Sequence, residues 1–167
     1  MGDMPCSTKK TSLGFTLVEL LVVIAIVTLL LGSSLAIINP PLIFAKARDT
    51  QRISDLSNLS AAIDHYIIDN GIPPGAKNVM RLSDALPQGQ VGPLQSASSG
   101  WIEGNLTKYI RKLFTDPTNL GDLVYRYKND GVGFELDCGL EILTLEMQKD
   151  TGNSTARYEV GTKLDLL

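Results

Sequence analysis

The sequence predicts an α+β chain: one long N-terminal helix, apolar in its first half and amphipathic in its second, leads into a small antiparallel sheet. Three observations predict it. No charged side chain occurs from Leu20 to Ala45. Apolar residues then recur at helical spacing as far as Ile67, and a later stretch alternates apolar and polar residues around an Asn-Asp-Gly turn. A length of 167 residues and 18.1 kDa allows one modest domain and excludes a multidomain enzyme. With 15 Lys+Arg against 18 Asp+Glu, a net charge of -3, a pI near 5.1 and no basic cluster, nothing invites a phosphate backbone, so no nucleic acid is expected as a partner. A mean hydropathy of +0.09 is high for a chain with 20% charged residues, and the excess lies in the apolar stretch. The chain is therefore read as membrane-associated.

That stretch, Phe15 to Ile38, contains one acid, Glu19, and the small or polar residues Thr16, Thr28, Gly32, Ser33 and Ser34. As a helix it would reach about 36 Å, enough for a hydrocarbon core of about 30 Å. Lys9 and Lys10 form a short basic stretch before it, and Gly14 precedes it directly. Two kinds of processing fit this order. A secretory signal would be cut at the small-x-small site Ser34-Leu35-Ala36 and release a soluble binding domain starting at Ile37. A cut after Gly14 would instead keep the helix in the product.

Glu19 bears on the choice, because a carboxylate is costly inside a membrane helix and an ordinary signal or anchor gains nothing by keeping one. A cut after Gly14 frees an α-amine on Phe15, four residues before Glu19. Within one helix the two groups are poorly placed to meet. The amine of one subunit could instead reach the acid of its neighbour as apolar helices bundle, satisfied at a single axial offset.

Lys9-Lys10-Thr11-Ser12-Leu13-Gly14, followed by Phe15-Thr16-Leu17-Val18-Glu19 and the apolar run to Ile26, resembles the processing and assembly signal of type IV pilins and type II secretion pseudopilins. Phe44 to Arg52 and Ala61 to Pro73 are similar to the exposed half of the long helix in the major pseudopilin-like branch. Leu113 to Pro117 and Tyr125-Arg126-Tyr127 are similar to the family's small sheet. The resemblance implies a pilin-like fold, cleavage by a prepilin peptidase between Gly14 and Phe15, and N-methylation of Phe15. It further implies a filament assembled through Phe15 and Glu19 with the help of a membrane platform. The expected organisation is a leader at 1–14, a transmembrane or filament-core helix at 15–39, and an extracytoplasmic head at 40–167 that includes an amphipathic helix at 41–70. Expected partners are copies of the chain, minor pilins or pseudopilins, the prepilin peptidase and the assembly platform. Lys46, Arg48 and Arg52 rival Lys9 and Lys10, so charge alone does not orient the span.

In the second half of the long helix, Ile53, Leu56, Leu59, Ile63 and Ile67 form one stripe, with Arg52, Asp55, Asn58, Asp64 and Asp69 assigned largely to the other faces. Gly71, Pro73 and Pro74 end it. Pro40 and Pro41 would each remove a hydrogen bond from a continuous helix, at roughly 3 kcal/mol or more, which predicts a kink between Ser33 and Pro41. Residues 71–104 read as surface loop, least structured at Leu94 to Gly100, and Leu106 to Phe114 as a short helix. Strands are expected at Leu123 to Lys128, at Gly133 to Ile142 with Glu135, Asp137 and Glu141 on its polar face, and at Arg157 to Val160.

Little catalytic chemistry is on offer. His65 is the one histidine and stands on a helix without a nucleophile motif, so it is read as a polar-face residue. Zinc spacings are absent. The resemblance raises calcium, which major pseudopilins often hold in a C-terminal loop, and Asp116, Asp122, Asp130 and Asp137 are the candidate ligands, but no dense oxygen-ligand loop accompanies them; no cofactor is expected. Cys6 lies in the leader, and Cys138 reads as a small core residue without a disulfide partner. Trp101 reads as a packing aromatic. The expected function is structural: a filament subunit of a type IV pilus or a secretion pseudopilus, not an enzyme.

Overall fold

The computed structural model describes residues 14–37, 39–85 and 100–167, with side chains described up to Ser33 and again from Asn39. It divides into two compact units, one reaching Pro40 and one running from Pro41 to Leu167.

The first unit holds helix α1, Leu17–Ile37. Its described side chains are all exposed, Leu, Val and Ile on every face alike, the pattern of a helix that needs an apolar surrounding all round it. Among the described residues no helix is long and apolar enough to cross a membrane. The expected span at 15–39 thus rests on sequence. Helix α2, Pro40–Asn70, opens on proline at its first position, where a missing amide costs nothing because that donor has no partner inside the helix. The expected kink is therefore a helix boundary between Ile37 and Pro40.

The second unit packs α2 on a four-stranded antiparallel sheet in the order β1-β2-β3-β4. The strands are β1 Arg81–Leu82, β2 Tyr125–Asn129, β3 Phe134–Cys138 and β4 Tyr158–Gly161. The β2–β3 hairpin turns where the Asn-Asp-Gly signal stands. Asp130 Oδ1 accepts from the amides of Val132 and Gly133 at 2.9 and 2.8 Å, and Gly131 takes a φ of 86°, open to glycine at little cost. Leu56, Leu59 and Ile63 of α2 join Tyr125, Tyr127, Phe134, Leu136 and Cys138 of the sheet in one core, closed by Trp101, Ile102, Leu106 and Leu113. Trp101 is buried, and its Nε1 donates to the Phe114 carbonyl at 2.9 Å.

The structure corrects several expectations. Arg52 and Asp55 are buried, not on a solvent face. The stripe actually runs Ala45, Asp49, Arg52, Leu56, Leu59, Ile63 at spacings of four and three, so charged residues occupy its first part while Ile53 and Ile67 are half-buried. Leu106 to Phe114 makes one turn, with the Tyr109 and Ile110 amides both donating to the Leu106 carbonyl, and no helix follows. Strand β3 stops at Cys138, because the amides of Glu141, Ile142 and Leu143 converge on Asp49 and bend the chain away. Its expected polar face is not solvated, since Glu135 and Asp137 are fully buried. The region expected as loop contributes β1 and buries Ser83. Residues 94–99, expected to be the least structured, lie outside the described residues.

Candidate functional site

Gly14, Phe15 and Thr16 precede α1 outside regular structure and are exposed, Phe15 at 78%. Thr16 is the residue before the first helical turn, and its hydroxyl accepts from the Glu19 amide at 3.2 Å. Glu19 returns the contact: its Oε2 accepts from the Thr16 amide at 3.1 Å and from the Thr16 hydroxyl at 3.0 Å. This is a capping box, which satisfies two amides that the helix leaves without carbonyls. Its signal in the sequence is Thr-x-x-Glu directly ahead of an apolar run. A side chain added at Gly14 would meet nothing within 4 Å, so the Gly14–Phe15 peptide is open on the chain's own side. Gly14, Phe15 and Glu19 thus lie together at the start of one apolar helix.

A second cluster fastens α2 to the head's loops. Arg52, with no exposed surface, donates Nε and Nη2 to Asp116 at 2.6 and 2.9 Å, and Nη1 to Asp49 at 2.8 Å and to Glu141 at 2.6 Å. Arg48 adds a two-pronged contact to Glu141 at 2.8 and 2.6 Å. Burial by itself would lower the Arg52 pKa, yet the three carboxylates push it up. Burial likewise opposes ionisation of Asp49, but the amides of Glu141, Leu143 and Ile142 and the Arg52 guanidinium leave it below its ordinary value. Hydrogen bonds from Arg48, then Arg52, hold Glu141 down at about 2. Sequence reasoning missed this cluster; its one signal was that Arg52 falls four residues before Leu56 on the buried stripe.

The four aspartates weighed for calcium do not fit a calcium ion, which takes six to eight oxygens. Asp116 is committed to Arg52, Asp137 to Arg126 and Arg157, and Asp130 to Lys163, while Asp122 is exposed. Among the described residues no group of three or more His, Cys, Asp or Glu side chains gathers to hold a metal. His65 is exposed on α2 and lines an open groove of about 470 Å³ with Tyr109, Ile110 and Phe114.

Comparison with known proteins now adds to this geometry. Residues 9–35 match the prokaryotic N-terminal methylation motif. Over 126 residues, 74% of this chain and 71% of the relative, the sequence is 32% identical to type II secretion system core protein G of Pectobacterium carotovorum subsp. carotovorum. No solved structure matches. The chain belongs to the family of type IV pilins and type II secretion pseudopilins. That family is one of structural subunits and not an enzyme class.

Proposed function

We propose that the chain is a pseudopilus subunit of a type II secretion system. A prepilin peptidase cuts it between Gly14 and Phe15, the new amine of Phe15 is methylated, and the subunit waits in the cytoplasmic membrane with its head outside. An assembly platform then draws it into a filament of its own copies and minor pseudopilins, with Glu19 of one subunit meeting the Phe15 amine of the next. The observation that carries this reading is the place of Gly14-Phe15. It lies inside the matched motif and directly ahead of a capped helix whose described side chains are all exposed. The relative's name, a core protein of a type II secretion system, supports the pseudopilus reading over the pilus.

N-terminal sequencing and intact mass of the protein purified from membranes test the processing. The expected product starts at Phe15, carries one added methyl group, and has a net charge one unit more negative than the precursor's -3, because Asp3, Lys9 and Lys10 leave with the leader. A product starting at Ile37 would overturn the proposal and make the chain a secreted domain.

A further inference from the structure

Strands β3 and β4 pair with Glu135 opposite Gly161 and Asp137 opposite Glu159. Glu135 and Glu159 are therefore diagonal neighbours on the sheet face turned away from α2. Both are sealed from solvent, at 0% and 1% exposure. Each uses one oxygen to hold a covering segment. Glu135 Oε2 accepts from the amides of Leu166 and Leu167 at 2.6 and 3.0 Å. Glu159 Oε2 accepts from the Ser154 amide at 2.8 Å, and Gly152 lies so close that a side chain there would meet this oxygen at 1.8 Å. The second oxygen of each, Oε1, is buried without any hydrogen-bond donor.

Two buried carboxyl groups at diagonal positions, each with an orphaned oxygen, cannot both be ionised cheaply, whereas one proton shared in an O–H···O bond would satisfy both. We propose that Glu135 and Glu159 bind a single proton between them, and that this proton couples the hold on the 150–154 and 162–167 segments to pH. The surrounding charges leave that position to a proton. Arg126 of β2 and Arg157 are engaged by Asp137. Lys128 of β2 donates to the Leu166 carbonyl at 2.5 Å. Lys163 of the covering segment pairs with Asp130 and stands 4.0 Å from Asp165. Asp150 accepts from the Glu159 amide, adding negative charge on that side. Burial, with the Glu159 carboxyl adding to it, pushes Glu135 up to about 7 from its ordinary 4.5. A raised carboxyl pKa means that the folded chain keeps a proton the unfolded chain has lost. The stabilisation is full below about pH 4.5, declines as pH rises and is gone above about 7.

The test is urea denaturation of the full chain in detergent from pH 5 to 8, with limited proteolysis at each pH. In the wild type the folded-to-unfolded ratio is expected to fall by up to about tenfold per pH unit between about 5 and 7, the slope of one proton. Cleavage within residues 150–167 should rise in step. Glu159→Gln supplies a permanent amide donor to Glu135, so its curve should be flatter by that one proton and its cleavage constant. Parallel curves for the two proteins would overturn the proposal. Should Glu159→Gln fail to fold, carboxyl carbon NMR of the wild type decides: one Glu titrating near pH 7 supports the shared proton, and both groups ionised at pH 5 refutes it.

Discussion

Glu19 has one partner within its own helix and a second proposed in the neighbouring subunit. Its Oε2 closes the capping box on Thr16, while the proposed assembly contact uses its charge. Two substitutions separate these roles. Glutamine still accepts from the Thr16 amide but carries no charge, and leucine does neither. Both variants should reach the membrane and be processed at normal levels, since the cut precedes Phe15 and removing a charge eases insertion. If charge is what assembly needs, Glu19→Gln and Glu19→Leu should both abolish sheared filament while processed subunit accumulates. Normal filament from Glu19→Gln would assign the residue to capping alone. The contrast with Arg52 shows what was legible at this scale. Glu19 was conspicuous because a lone acid in an apolar run has no bland reading. Arg52 was not, because a lysine or arginine on an amphipathic helix ordinarily lies on its wet face, and its partners Asp116 and Glu141 stand 64 and 89 residues away.

Among the elements, α2 was read correctly where packing is apolar and incorrectly where it is ionic. Leu56, Leu59 and Ile63 are fully buried as their spacing required, and Leu59→Ala or Ile63→Ala should each cost about 2–5 kcal/mol in urea denaturation of the full chain. Loss of less than about 1 kcal/mol from both would mean that the helix face is held by Arg52 and its carboxylates rather than by the apolar core. The Asn-Asp-Gly hairpin was legible for a local reason, since the turn's hydrogen bonds all lie within a few residues. Strand β1 was not legible, because two residues carry no periodicity and their pairing depends on β2, some forty residues on. The end of β3 was hidden for the same kind of reason: it is set by Asp49, on a distant helix.

At the scale of the whole molecule, the apolar core among the described residues is drawn from residues after Pro41. A chain beginning at Pro41 is therefore expected to fold alone and to melt in one cooperative transition by circular dichroism. A shortened chain without such a transition would show that the head needs α1. Among the described residues Cys138 is free, fully buried in β3, and its thiol is pushed up by that burial. If the proposed cut removes Cys6, the remaining sulfhydryl is that of Cys138, which aqueous reagents do not reach. The mature subunit is thus a blank ground for cross-linking. Cysteines placed in pairs on exposed positions, Leu17 or Leu29 on α1 and Ser54, Ser57 or Ala61 on α2, would form intersubunit bonds against no background, and each bond would fix one neighbour distance in the filament.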